Sequence, residues 1–183
     1  MSKTNSVVKI VGWTEMQLKD KDGNLKKLFH ANKLWLIFKK TLGLDLKIPF
    51  LFGNWSTSVI KLNTITTVGK QIAAQQLGGT TVVPVTAVAI GTGTPSATAL
   101  GAEITTGGGA RGAATVTNQT TTTTGDTERW AKTFTFSLSF AITEEGLFDN
   151  NVSGGNMLAS QTFSAINVNN LDSLAITHNV RFS

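Results

Sequence analysis

The feature that most constrains this chain is the run Trp130-Ala131-Lys132-Thr133-Phe134-Thr135-Phe136-Ser137-Leu138-Ser139-Phe140. It sets Trp130, Phe134, Phe136, Leu138 and Phe140 on one face and Ala131, Thr133, Thr135, Ser137 and Ser139 on the other. That is the period of two of a half-buried antiparallel strand. Upstream, Thr115 to Thr124 reads as its hairpin partner, turning at Gly125-Asp126. A Thr-, Gly- and Ala-rich stretch of such strands from about Val82 to Ser183 holds almost no reactive groups. Rigid β-modules of that kind bind or build.

At 183 residues the chain is long enough to bury a real core, and fits one domain with an appendage. It has no cysteine, which excludes disulfides, thiolate metal sites and a Cys nucleophile. No run approaches the ~18 apolar residues that span a bilayer, and Met1 to Asn5 leads into a strand rather than the apolar core of a signal peptide. The expectation is a soluble, unprocessed protein without membrane contact.

The net charge of +5 is unevenly placed: the segment up to Lys61 carries +7, the remainder −2. A basic third suits nucleic acid or an acidic protein surface. Its lysines are scattered among strand, turn and helix rather than clustered with arginines, which argues against nucleic acid.

Within that third, Val7–Leu18 and Leu25–Phe29 read as strands joined through Asp22-Gly23, a hairpin turn signal. The loop lacks the acid pattern and distal Glu of a calcium site. Asn32 caps an expected helix from Lys33 to about Leu42, stopped by Gly43. Leu34, Trp35, Ile37, Phe38 and Leu42 make more than one apolar stripe, with Lys33, Lys39 and Lys40 as a polar edge, so this helix must be covered by its own module or by a subunit. Leu46 to Trp55 is strongly apolar, and Pro49 bars it from a central strand. It reads as an aromatic arm anchored in a neighbour or a loop packed on its own core; the second reading is favoured for Phe50 and Phe52, and Trp55 is left open. The candidate interface is Trp35, Phe38, Phe50, Phe52, Trp55, Lys39 and Lys40.

A second helix is expected from about Thr66 to Leu77, with Thr64 or Thr66 as its cap and Gly78-Gly79 as its end. Its Gly69-Lys70 lacks the upstream glycine of a phosphate loop, because Thr64 stands there. Gly91-Thr92-Gly93 lacks the third glycine and following helix of a dinucleotide site. Further strands are expected at Val82–Ile90, Ile142–Phe148, Met157–Phe163 and Ser173–Val180, with turns at Asn150–Asn156 and Val168–Asp172.

Nothing here assembles catalysis. His30 and His178 lie far apart and read as structural or surface residues. Glu144 and Glu145 are adjacent in a strand and point to opposite faces, so one is expected exposed and the other paired with a backbone amide or Arg. Elbow, zinc-helix and acidic-cluster motifs are absent. Asn54, Asn118 and Asn151 match the glycosylation pattern only formally. No catalytic, cofactor or metal residues are expected.

The order Ala89-Ile90-Gly91-Thr92-Gly93-Thr94, Ala99-Leu100-Gly101-Ala102-Glu103-Ile104, Ile142 to Asp149, Gly155 to Ala159, Phe163 to Val168 and Asp172-Ser173-Leu174 resembles a family of small tailed-bacteriophage virion proteins. The resemblance runs from about Asn63 to Phe182 and includes head accessory proteins and tail-collar or fibre modules. The N-terminal third departs from the shorter members. The resemblance implies a non-enzymatic virion protein assembled in the bacterial cytoplasm. The leading expectation is a capsid decoration protein on the major capsid protein or another virion component, as a homo-oligomer with a trimer favoured; the alternative is a tail, collar or fibre component contacting a host receptor. The expected fold is mainly β, an antiparallel sandwich, jelly-roll-like or collar-like, with an N-terminal β-hairpin arm and two short helices. Residues 1–61 would be the basic attachment or oligomerisation arm and 62–183 the sandwich.

Overall fold

Alternating burial along three long strands builds the first sheet. The computed structural model describes residues 9–43, 47–80 and 83–183. Its elements in chain order are β1 (Ile10–Lys19), β2 (Leu25–Lys26), β3 (Leu28–Ala31), α1 (Lys33–Leu42), β4 (Gly53–Ser56), β5 (Val59–Leu62), β6 (Thr64–Ile65), α2 (Thr67–Leu77), β7 (Ala87–Gly91), β8 (Gly112–Ala113), β9 (Thr115–Gln119), β10 (Thr127–Thr135), β11 (Phe140–Phe148), β12 (Met157–Val168) and β13 (Ser173–Phe182). The first sheet runs β2-β1-β13-β10-β9, with β5 also on β1. β1 pairs with β13 along its whole length, from Ile10 opposite Phe182 to Lys19 opposite Ser173.

The second sheet runs β6-β12-β11-β7-β8. Met16, Leu18, Trp130, Phe134, Leu174 and Ile176 of the first sheet share one buried cluster with Val88, Ile90, Ile142, Leu147, Leu158 and Ile166 of the second. The mainly β, antiparallel class with two short helices is as expected. A smaller cluster of Ala87, Ala89, Leu100, Phe148 and Met157 lies on the other face of the second sheet.

Both helices start where their caps demand. Asn32 accepts the amide of Trp35 at 3.0 Å, and Gly43 takes a left-handed φ of 68° to close α1 onto the Lys39 carbonyl. Thr66 accepts the Gly69 amide at 2.8 Å and donates to Met157 O at 2.5 Å, so the cap of α2 also fixes the helix to β12.

Two expectations need correction. The run from Trp130 to Phe140 is not one strand: it leaves the first sheet after Thr135 and enters the second at Phe140. Phe136 stays buried, but Leu138 sits exposed on the crossover, where the Ser137 amide bonds Gly107 O at 3.0 Å. Nor does the division at residue 61 match the sheet, because β1 lies inside it.

The pairing of β1 shows what the appendage is. Leu25 and Lys26 oppose Lys19 and Leu18, whereas Val59 to Leu62 oppose Met16 to Trp13, on the same edge and in the same direction. β2 and β5 are therefore two halves of one edge strand, interrupted opposite Gln17. Residues 27–58, including the β3–β4 pair and α1, are an insertion at that single position.

Candidate docking surface

The insertion carries its own small core. Phe29, Ala31, Trp35 and Phe52 are buried together, with Phe38 half-buried against them. Phe38 and Phe52 pack with ring centroids 5.0 Å apart, and Trp55 meets Phe29 edge-on at 5.3 Å. Beyond capping α1, Asn32 donates its Nδ2 to Leu51 O at 3.0 Å and its backbone amide to Phe52 O at 2.9 Å. One residue thus ties the helix start to the turn before β4.

That turn is tight. Phe52 N donates to Ile48 O and Phe50 N to Gly53 O, at 3.0 and 2.9 Å. The closure forces Phe50 to φ +67°, unusual for a residue with a bulky side chain, and its ring stands fully in solvent. Leu34, Ile37 and Leu42 of α1 are exposed as well, together with Ile48 and Leu51. This is more apolar surface than isolated exposed residues account for.

The candidates named from sequence divide. Trp35 and Phe52, 4% and 2% exposed, hold the small core together and present no surface to a partner. Phe38 is half-buried in the same cluster. Phe52 packs on its own core as favoured, whereas Phe50 does not. Trp55 is partly exposed at the rim. Lys39 lies over the Trp35 ring, 4.6 Å from its centroid. The side chain of Lys40 lies outside the described residues. The candidate interface left out Leu34, Ile37 and Leu42, although the multiple stripes of α1 were their signal, and Leu51, whose signal was the apolar run before Trp55.

The electrostatics of the unit are basic. Residues 27–58 contain Lys27, Lys33, Lys39, Lys40 and Lys47 against Asp45 alone. Nearby, burial pushes the half-buried Lys61 ammonium below its ordinary value. Burial, and secondarily the charge of Lys61, likewise hold the His30 imidazole down.

The buried polar groups of the sandwich are already engaged. Thr14 donates to Glu145 Oε1 at 2.8 Å, and His178 Nδ1 lies 3.1 Å from Glu145 Oε2 and 3.2 Å from the Thr14 hydroxyl. The Asn63 carboxamide, oriented to donate to Gly12 O and accept from Trp13 N, also accepts a hydrogen bond from His178 Nε2. A Cβ at Gly12 would overlap that carboxamide, so glycine makes the room. In a hydrolase triad the hydroxyl and the acid occupy opposite ring nitrogens. Here both crowd Nδ1, and Thr14, Glu145 and His178 are fully buried. What the group does is bridge the two sheets.

Glu144 lies on the opposite face of β11 and is equally buried; it accepts the amides of Gly93 at 3.0 Å, Gly101 at 2.9 Å and Ala102 at 2.8 Å. The opposite facing and the backbone pairing were expected, but neither glutamate is exposed. Arg111 holds Glu103 in a two-pronged pair at 2.9 and 2.6 Å, donates to Gly154 O at 2.6 Å and covers the Phe148 ring. Among the described residues, no three His, Cys, Asp or Glu side chains converge as a metal site, and no helix is long and apolar enough to cross a membrane. No protein-family model, curated protein or solved structure matches the chain.

Proposed function

We propose that the protein is a non-enzymatic structural component of a tailed-phage virion, decorating the head by seating the insertion 27–58 on an acidic surface of another virion protein. The virion assignment rests on the resemblance of the motifs between Asn63 and Phe182. The docking assignment rests on one observation: Leu34, Ile37, Leu42, Ile48, Phe50 and Leu51 are exposed on a basic unit inserted at one position of an edge strand. An apolar patch supplies the binding energy and the surrounding lysines select an acidic partner. Pairing this face with itself across a two-fold axis would oppose like charges. Assembly into a trimer would use another surface.

The test is co-sedimentation with particles assembled without this protein. Phe50→Ser with Ile37→Ser alters only exposed side chains and should weaken binding about tenfold or more, a loss of roughly 1.4 kcal/mol. Wild-type binding should weaken with salt as the lysines are screened. Unchanged binding by the double variant would refute docking through this unit.

A further inference from the structure

Between the insertion and the second sheet lies a cleft of about 580 Å³, within the size range of small-molecule sites. Trp35 and Lys39 of α1 and Lys61 of β5 line one side; Thr92 and Thr94, after β7, and Thr162 and Ser164 of β12 line the other. A neighbouring cleft of about 360 Å³ shares Thr162 and continues past Pro95 and Ser96 to Thr64 and Ser160. The two together make a hydroxyl-lined trough with one cationic, aromatic end.

Lys61 is the unusual group. It is half-buried, and its ammonium makes no hydrogen bond or ion pair among the described residues. Lysines taken out of water are ordinarily paired, because the lost hydration must be replaced. Neighbouring acids are committed elsewhere. Lys61 stands opposite Thr14, so Glu15, the next residue along β1, faces the other side, where Ser58 bonds it at 2.7 Å. Glu144, close to Gly93 at the cleft, spends both oxygens on three backbone amides. Burial already lowers the Lys61 ammonium from its ordinary value, and a bound anion would reverse that.

The geometry points to a binding site for an acidic saccharide, its carboxylate against Lys61 and Lys39 and its hydroxyls along Thr92, Thr94, Thr162 and Ser164. Threonine and serine hydroxyls donate and accept at once, as sugar hydroxyls do. A simple oxyanion would use only the lysine end. An acidic peptide would satisfy the charge but leave much of the hydroxyl trough unmatched.

The full chain is titrated, with NMR and calorimetry as readouts, against a tetrasaccharide of alternating glucuronate and N-acetylglucosamine. A neutral N-acetylglucosamine tetramer, inorganic phosphate and an oligo-glutamate peptide are run in parallel. The uronate oligomer should bind and shift the amides of residues 92–94 and 162–164. The neutral oligomer should bind about tenfold more weakly or less, and Lys61→Met, which keeps the aliphatic stem, should cost a similar factor. Thr94→Val, on an exposed loop, should also weaken binding and decides the matter if Lys61→Met does not fold. No binding of the uronate oligomer at millimolar concentration, or wild-type affinity in Thr94→Val or in a folded Lys61→Met, overturns the proposal. So does phosphate or peptide binding as tightly as the saccharide. Because Phe50 and Ile37 lie outside the cleft, the docking variants leave this binding unchanged, and the two readings fail separately.

Discussion

Thr14 on β1 donates its hydroxyl to Glu145 on β11 at 2.8 Å, joining the two sheets through residues 131 positions apart. His178 completes the contact from β13, so removing the carboxylate takes one partner from each of two buried polar groups. Glu145→Ala is therefore expected to destabilise the protein by about 3 kcal/mol or more, and Thr14→Val by about 1–3 kcal/mol. The double variant should lose less than the sum, because the bond between the two residues is already broken by the first substitution. Urea unfolding of the three variants measures this. Full additivity would mean that the two residues do not act as one bridge.

Gly125 takes φ +70° between β9 and β10, the left-handed turn conformation its place in the hairpin called for. A β-branched side chain there suffers the left-handed steric penalty and would also crowd Asn118. Gly125→Val should cost about 1–2 kcal/mol, seen as a lower thermal midpoint. An unchanged midpoint would show that the loop reaches another conformation without strain.

Beside it, Asp126 organises the threonine run. Its carboxylate accepts the amides of Thr121, Thr122 and Thr123 and the hydroxyls of Thr121, Thr122 and Thr127. Desolvation works to raise its pKa, but the hydroxyl of Thr122 and the three amides outweigh it and hold the group well below the ordinary carboxylate range. With the folded-state value depressed, the stabilisation is fully present above the unfolded carboxylate range and is lost as pH falls through the folded value. The gap in thermal midpoint between wild type and Asp126→Asn should be widest near neutrality and narrow below about pH 4. A gap independent of pH would show that the charge of Asp126 is not what holds the loop.

Local signals made much of this fold legible. The cap Asn32, the stop at Gly43 and the turns at Gly23 and Gly125 each act through a few neighbouring residues, so sequence alone locates them, and it narrows the cap of α2 to Thr64 or Thr66, of which the structure uses Thr66. Long-range pairing left no such trace. Nothing near Lys26 announces that its strand resumes at Val59, because the continuity exists only along the edge of β1. The same limit hid the surface: Phe50 and Phe52 look alike in sequence, yet the turn directs one into the small core and the other into solvent. Likewise, Glu145 and His178 carried no local motif, since their partnership forms only when the two sheets close.

The interrupted edge strand makes a stringent prediction about what can be removed. Lys26 opposes Leu18 and Val59 opposes Met16, two residues apart along β1, a span of about 7 Å at strand rise. A single residue opposite Gln17 bridges that distance. Replacing residues 27–58 by one to three glycines should therefore restore a continuous edge strand and leave the sandwich folded. The cost includes the burial of Leu28, which belongs to the main core and is worth about 2–5 kcal/mol. Deleting residues 1–61 should instead abolish folding, because it removes β1 and strips β13 of its ten-residue partner. Circular dichroism and cooperative thermal melting distinguish the two shortened chains. A cooperatively folded 62–183 fragment would show that β1 is dispensable, and an unfolded excision variant would show that the insertion is integral to the core. If the excision variant folds and no longer sediments with particles, attachment is separated from folding by the one cut that the register permits.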